Sequence, residues 1–338
     1  MKKLKLAAFL AFAALTALGL LHPAASLAAD KIDVKIQAPN NPKSVPDQPI
    51  VVATQKFAEE LEKRAGDKVT VRLFWDDQLA KTYEGAINLV QNNDLQIAMM
   101  SLSSFSGFSK AGLPLSNLFL IPYPHTELAY RIIDGNVGEI IRKKAIEDTG
   151  IRIVSFWDVG FRHLLTVKKP ITGIDSIKGL KFRVQPNPIH ISAFKLLETN
   201  PTPISFGELF TSLQQGVIDG TENPLENVMA ARLYEVCSEL ALTGHLYEFF
   251  LVYANESWYQ NLPEDVRTAW DESAKAATQA YREQLSKKND EWTNFFKENG
   301  LKISALQDSE LEKFRDAVKP SREEAIKQVG ADYHESVI

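Results

Sequence analysis

Two arginines in apolar, strand-like surroundings are the residues of this sequence best suited to hold a small molecule. In the run 180–185, alternation along a strand places Phe182 and Val184 on one face and Arg183 on the other. Arg162 lies at the end of another apolar stretch, so both side chains can reach one crevice. A guanidinium is planar, stays charged when water is excluded and offers paired donors to a carboxylate. Spacing alone favours a structural ion pair for each arginine, and carboxylate binding is the functional alternative.

Motifs that would indicate catalysis are absent from the sequence. It has no G-x-S-x-G elbow, no G-x-G-x-x-G fingerprint and no H-E-x-x-H zinc helix. The glycines at 107 and 112 have the spacing of a phosphate loop, but Leu-Pro follows where Lys-Ser/Thr is needed. The single Cys237 cannot form an intrachain disulfide or supply a cysteine-based metal site. We therefore expect a protein that is not an enzyme and that uses no metal and no cofactor.

Composition and charge limit the kinds of protein to which this chain can belong. The chain has 338 residues, of which 45% are hydrophobic and 24% charged, so it can bury the cores of two domains or of one large α/β unit. Its formal net charge of −5 provides no general basic field. We therefore expect no nucleic-acid partner, because such binding depends on neutralising phosphates.

The first 28 residues have the pattern of a signal peptide. Three early lysines precede an apolar run from Leu6 to Leu21, and small residues follow it. Sixteen helical residues span about 24 Å, less than the roughly 30 Å hydrocarbon core of a bilayer, which favours a cleaved signal over a membrane anchor. We predict cleavage after Ala28 or Ala29, and export of the remaining chain.

From residue 32 onward, short strand patterns alternate with amphipathic helix patterns. The first half has predicted strands at 32–36, 69–75 and 95–100, with helices ending at Gly66 and spanning 84–91. The second half has predicted strands at 151–156, 180–184 and 217–219, with helices near 189–197, 206–215 and 222–236. Such alternation predicts a largely parallel sheet in each of two α/β lobes.

A helix of unusual length is predicted after Pro263. Apolar residues recur there every three or four positions up to a stop at Gly300, which is about 35 residues and about 50 Å. That length exceeds one small domain, so we expect the helix to cross both lobes. No low-complexity linker is visible, and several crossing segments would make a hinge.

Four motifs in residues 170–228 carry a family resemblance. They are D-x-x-K-G-L-K-x-R-V at 175–184, P-x-P-I at 186–189, E-L-F-T-x-L-Q-Q-G at 208–216 and V-x-D-G-x-E-N-P at 217–224. Together they resemble the core signature of the solute-binding proteins of TRAP (tripartite ATP-independent periplasmic) transporters, the C4-dicarboxylate and sialate-binding family. Weaker similarity covers nearly the whole chain after the signal.

The resemblance implies an α/β fold of the periplasmic-binding-protein type, with two lobes joined by hinge strands and a long lobe-spanning helix. Lobe I would comprise residues 29–158 plus about 250–288, and lobe II about 159–249 plus 289–338. The implied binding site lies in the cleft between the lobes.

The family's ligand-binding residues fall on particular positions of this sequence. The resemblance implies that Arg183 pairs with the ligand carboxylate and that Arg162 and Asn223 also reach the ligand. Phe206 would pack on the ligand, with packing in the core as the alternative. Further candidates close by in the sequence are Trp157, Asn187 and Glu222.

Two serines bear on which acid is bound. Ser101 and Ser104 occupy positions at which sialate-binding members tend to carry a glutamate and an arginine. Small hydroxyl side chains leave room for a different organic acid, or donate hydrogen bonds to it. The sequence does not name the ligand, and a dicarboxylate is the default expectation for the family.

The resemblance also implies a function and its partners. The chain would be a periplasmic solute-binding protein, expected to be monomeric, that delivers a small organic acid to the small and large membrane subunits of a TRAP transporter. A ligand-binding partner of a membrane sensor would share this fold and remains an alternative. A secreted hydrolase is the other alternative, but it needs a nucleophile–base or carboxylate pair that the sequence does not offer.

Overall fold

A computed structural model describes residues 31–338, so the predicted signal peptide lies outside the described residues. The strands are β1 (Ile32–Gln37), β2 (Val69–Phe74), β3 (Ala98–Ser101), β4 (Ile151–Thr166), β5 (Lys181–Val184), β6 (Asn200–Pro203), β7 (Gly220–Pro224), β8 (Glu239–Asn255) and β9 (Lys302–Ala305). The α-helices are α1 (Pro49–Ala65), α2 (Tyr83–Gln91), α3 (Leu102–Phe105), α4 (Thr126–Asp134), α5 (Asn136–Thr149), α6 (Pro188–Leu196), α7 (Leu209–Gln214), α8 (Leu225–Ala230), α9 (Glu256–Gln260), α10 (Glu264–Glu298), α11 (Asp308–Val318), α12 (Ser321–Val329) and α13 (Ala331–Val337).

The strands form two sheets, and helices cover them to give the predicted α/β class. β1 and β2 pair in parallel as a small sheet, which continues toward β3 through a bridge between Ile36 and Ile97. The larger sheet has seven strands in the order β3-β8-β4-β7-β5-β6, and β9 pairs with β8. No helix within residues 31–338 combines the length and the apolar character needed to cross a bilayer.

The expectation of a largely parallel sheet is wrong. β4 pairs antiparallel with both β7 and β8, and β3 also runs antiparallel to β8. Within residues 31–338, parallel pairing occurs in β1–β2, β5–β6, β5–β7 and β8–β9 and at the bridge between Ile36 and Ile97. The sequence pattern identifies strands from their side-chain alternation, but alternation is the same in both directions and therefore does not set the polarity of a pair.

β4 is much longer than its predicted range of 151–156. It continues to Thr166 through Asp158, Gly160 and Arg162, which interrupt the apolar run that carried the prediction. Asp158 pairs with Arg282 and Arg162 pairs with the buried Glu222, so the strand can continue. Register shifts near these positions bend the long β4–β8 pair.

The predicted strand at 217–219 and helix at 222–236 are also wrong. The strand is β7, three residues later, and it contains Glu222 and Asn223. Helix α8 begins only after Pro224, which stands at its N-cap. Proline suits a helix start and disrupts a helix interior, so the helix cannot extend back through residue 224.

The long C-terminal helix is confirmed as α10, a single helix of 35 residues. It lies along α1, where Phe57 meets Trp270 edge-to-face at 5.2 Å between ring centroids. Farther along, its Tyr281 stacks on Trp157 of β4 at 5.4 Å. Helix α1 ends before Gly66 as predicted, and the φ of +60° at Gly66 explains why a glycine stands there. The lobe boundaries stay a prediction.

Candidate functional site

A cavity of about 560 Å³ opens between two groups of residues that are far apart in the sequence. One group lies between positions 37 and 101, at the ends of β1, β2 and β3 and in α2, and the other lies between positions 183 and 231. Phe250 of β8 also lines the cavity. The size is typical of a pocket for one small organic molecule. Polar residues that line it are Gln37, Asn40, Asp76, Asp77, Lys81, Thr82, Tyr83, Ser101, Arg183, Gln185, Ser205, Asn223 and Asn227.

Arg183 points into this cavity from β5. Its neighbours Phe182 and Val184 are fully buried in the core, as the predicted alternation requires. Nε of Arg183 donates to the carbonyl oxygen of Ile204 at 2.8 Å, and within residues 31–338 no carboxylate lies within ion-pair distance of its guanidinium. Burial lowers the pKa of Arg183 to about 10, so the side chain stays charged at neutral pH. The cavity therefore contains a cation whose charge is not balanced by an ion pair.

Asn223 lies beside Arg183 because β7 and β5 are neighbouring strands, with Thr221 in register with Arg183. The Asn223 side chain is buried, lines the cavity and donates through Nδ2 to Thr221 Oγ1 at 3.2 Å. Its Oδ1 has no hydrogen-bond partner in the described part of the chain. A buried amide oxygen without a partner costs free energy, so this one is suited to accept a hydrogen bond from a ligand.

Phe206 and the two serines also belong to this region. Phe206 lines the cavity and also packs against the core, and its contact with a ligand stays a prediction. Ser101 lines the cavity, and its hydroxyl lies 2.8 Å from that of Ser104 behind it. Gln185 donates to Ser101 Oγ at 2.8 Å and links the two groups of lining residues.

Arg162 and Glu222 are buried and do not line the cavity. Arg162 Nη2 donates to Glu222 Oε1 at 2.8 Å and to the Glu222 carbonyl oxygen at 2.6 Å, and Nε also binds the carboxylate. Arg162 Nη1 reaches Glu248 Oε2 at 3.3 Å. The Arg162 charge holds the pKa of Glu222 well below its usual range, although burial opposes this. For Arg162, the structure therefore contains the ion pair that spacing alone favours.

Trp157 and Asn187 are buried apart from the cavity lining. Trp157 stacks on Tyr281 in the core. Asn187 caps α6 by accepting from the backbone N–H of Ile189, and it donates to Ser103 O and Ser116 Oγ at 3.0 Å each. Of the nine predicted site residues, the structure thus places four on the cavity, namely Arg183, Asn223, Phe206 and Ser101. The role of all nine in ligand binding stays a prediction.

Several cavity residues were not predicted from the sequence. Gln185 follows Arg183 by two positions, so strand alternation could have found it. Gln37 and Asp77 lie just at or after the ends of β1 and β2, where the sequence offers only a polar loop. Only the fold brings these residues to Arg183. No group of three histidine, cysteine or acidic side chains within residues 31–338 is arranged to hold a metal ion.

A mixed α/β fold with a cavity between distant chain segments, lined by a buried arginine and other polar side chains, is typical of a protein that binds a small molecule. The chain belongs to the family described as DctP, bacterial extracellular solute-binding protein, family 7, whose family model matches residues 43–328. It is a periplasmic solute-binding protein of the TRAP type and not an enzyme.

Individual relatives support the same assignment. The 2,3-diketo-L-gulonate-binding periplasmic protein YiaO of Escherichia coli is 29% identical over 85% of this chain and 86% of its own length. The sugar acid binding protein DctPAm of Advenella mimigardefordensis, solved with galactonate, is 27% identical with a TM-score of 0.84 over 91% of this chain and 96% of that one. A TRAP solute-binding protein of Sulfurospirillum deleyianum with bound succinate is 27% identical, with a TM-score of 0.82 over 91% of this chain and 98% of that chain.

Proposed function

We propose that this protein captures a small organic acid in the cavity by pairing the acid's carboxylate with Arg183. The observation that carries the proposal is the state of that side chain: buried, charged and without a carboxylate partner in the described part of the chain. A guanidinium with donors free to bind a planar oxyanion is a built recognition group for a carboxylate. Asn223, Phe206, Ser101 and, behind it, Ser104 would complete the surroundings of the ligand.

The relatives support an acid as the ligand. Diketogulonate, galactonate and succinate, which the names and descriptions of the three relatives give, all carry a carboxylate. They differ in length and in hydroxyl content, so they support the carboxylate and leave the rest of the ligand open.

The arrangement of the cavity suggests how capture would work. Its lining comes from positions 37–101 and Phe250, in predicted lobe I, and from 183–231, in predicted lobe II. A ligand that contacts both groups binds a closed form better than an open one and so favours closure. Residues 1–28 would direct export, and the closed form would dock on the TRAP membrane subunits, which then take up the acid.

The test is Arg183→Ala, assayed by calorimetry against a panel of mono- and dicarboxylates. We expect affinity for the best acid to fall by about 100-fold or more, because a charged, hydrogen-bonded partner is lost in a partly desolvated site. Arg183→Lys is the matched control, and we expect an intermediate loss because a lysine keeps the charge but not the paired donors. Circular dichroism would verify the fold, and unchanged affinity in a folded Arg183→Ala protein would contradict the proposal.

A further inference from the structure

A carboxylate shares the cavity with Arg183. Asp77 follows β2, lines the cavity and is half-buried. Its Oδ1 accepts a hydrogen bond from Gln37 Nε2 at 3.3 Å, and within residues 31–338 its other oxygen has no hydrogen-bond partner and no cation within ion-pair distance. Burial raises the pKa of Asp77 to about 6, and nearby Lys81 opposes that rise, so the group is ionised at neutral pH. Asp77 therefore presents an acceptor to whatever fills the cavity.

The position of this acceptor is fixed by Gln37. The buried Gln37 side chain accepts the backbone N–H groups of Leu79 and Ala80 through Oε1, both at 2.8 Å. A backbone N–H can only donate, so the amide orientation is set and Nε2 must face the other way. Nε2 then donates to Asp77 Oδ1 and to the Ala80 carbonyl oxygen at 3.0 Å. Asp77 is thus held in place by a residue that has no hydrogen-bonding freedom left.

Lys81 and Asp76 are the other charged residues of the cavity lining, and Lys81 attracts Asp77 but forms no ion pair with it. Lys81 donates to the backbone oxygen of Asp76 at 2.7 Å, and the exposed Asp76 carboxylate accepts from Asn41 at 2.7 Å. Tyr83 lies within electrostatic reach of both key groups: burial raises the pKa of its phenol, the Arg183 charge opposes that rise and the Asp77 charge adds to it. One small cavity therefore offers a cation for one end of a ligand and an anion for another part of it.

We propose that Asp77 is a specificity-determining residue, which accepts a hydrogen bond from a hydroxyl group of the bound acid while Arg183 holds its carboxylate. The cavity would then select hydroxylated monocarboxylates over dicarboxylates. A hydroxyl can donate to a carboxylate, whereas a second carboxylate would meet a like charge in partly desolvated surroundings. Discrimination of this kind combines an attractive contact with a repulsive one. The inference rests on the proposed capture of an acid by Arg183.

The test compares two ligand classes on wild type and on Asp77→Asn by calorimetry. The hydroxylated acids are erythronate, gluconate and galactonate, and the others are succinate, glutarate and the unsubstituted monocarboxylate butyrate. We expect the best hydroxylated acid to bind wild type at least about 10-fold more tightly than either dicarboxylate, since a site built for a hydroxyl rejects ligands that lack it. In Asp77→Asn we expect that ratio to fall by about 10-fold, with dicarboxylate affinity unchanged or increased.

Asp94→Asn is the matched control. It removes the same charge from an exposed side chain that does not line the cavity, so we expect the affinity ratio to stay within about 3-fold of wild type. The melting temperature of each variant verifies folding. The wild-type comparison alone remains decisive if Asp77→Asn does not fold, because it needs no substitution.

The outcomes separate this inference from the function on which it rests. Equal or tighter binding of succinate by wild type would overturn the role of Asp77, and so would an unchanged ratio in a folded Asp77→Asn protein. Tightest binding of an amino acid such as alanine would also overturn it, because the partner of Asp77 would then be an ammonium group. In each of those cases the loss of affinity in Arg183→Ala would still support carboxylate capture. A wild type that binds no acid at all would overturn both proposals.

Discussion

Two buried arginines on strands of one sheet have different surroundings. Arg162 on β4 contacts the carboxylates of Glu222 and Glu248, which balance its charge inside the protein. Arg183 on β5 has a carbonyl oxygen as its partner and faces the cavity. A buried charge needs compensation, so Arg162 obtains it from the fold, whereas Arg183 can obtain it from a ligand.

This difference predicts opposite effects of two similar substitutions. Arg162→Ala should lower the free energy of unfolding by about 3–5 kcal/mol, because it leaves the buried carboxylates of Glu222 and Glu248 without their cation. Arg183→Ala should cost much less, since it leaves no carboxylate unpaired. Urea unfolding of both variants would measure this, and equal stability losses would contradict the distinction.

His163 predicts a pH dependence of stability. Its Nδ1 accepts the backbone N–H of Gly244 at 3.1 Å, which requires an unprotonated nitrogen, and burial lowers its pKa from 6.5 to about 3. The unfolded chain takes up this proton below about pH 6.5 and the folded chain does not, so stability present above that pH is lost toward pH 3, by up to roughly 4 kcal/mol.

His163→Asn tests this dependence, because asparagine keeps an acceptor for Gly244 but does not titrate. We expect a flatter loss of stability between pH 6.5 and pH 3, measured by urea unfolding across that range. His125→Asn, at an exposed loop residue, is the control for loss of an imidazole. If the free energy of unfolding of His163→Asn falls with pH as steeply as that of wild type, other groups cause the loss of stability in acid.

At the scale of elements, α10 and β4 hold each other in position. Trp157 of β4 stacks on Tyr281, and Arg282 binds both Asp158 of β4 and Asp134 at the end of α4 at 2.6 Å. The Tyr281 hydroxyl also donates to Glu226 of α8. One stretch of α10 thus fixes the strand that carries Arg162 and the helix that follows Asn223.

Trp157→Ala is therefore expected to act on stability. Removing a fully buried indole should cost about 3–5 kcal/mol through lost burial and a residual cavity. Because Trp157 does not line the ligand cavity, we expect the acid's dissociation constant to change by less than about 3-fold. Calorimetry below the melting temperature measures this, and a large loss of affinity with little loss of stability would assign Trp157 to the ligand site instead.

The sequence predicts those elements that follow from the pattern of residues close together in the chain. Helix α10 follows from apolar spacing, and the orientation of Arg183 follows from strand alternation, because both depend only on nearby residues. The extension of β4 through Arg162 does not follow from the sequence, since it depends on carboxylates from β7 and β8. Asp77 was missed for the same reason: its carboxylate is positioned by Gln37, forty residues earlier.

At the scale of the whole molecule, the ligand should act as a cross-link between the two groups of cavity residues. A ligand present at 100 times its dissociation constant stabilises the folded state by about 2.7 kcal/mol, provided that it does not bind the unfolded chain. For a chain of this size we expect a rise in melting temperature of a few degrees, which a thermal-shift screen of organic acids would detect. Failure of all acids to shift the melting temperature, with wild-type folding intact, would contradict acid capture.

The packing of α1 against α10 and the pairing of β4 with β8 also determine how the chain can reach its native state. Phe57 meets Trp270, and the β4–β8 pairs run from Ile151–Asn255 to Thr166–Glu239, so these contacts join residues about seventy or more positions apart. Contacts between residues so far apart in the sequence slow folding, because the entropy cost of closing a long loop arises before the contacts stabilise the chain. During synthesis the core cannot close until α10 has emerged, so a nascent chain ending before Glu264 keeps the apolar face of α1 open to chaperones and proteases.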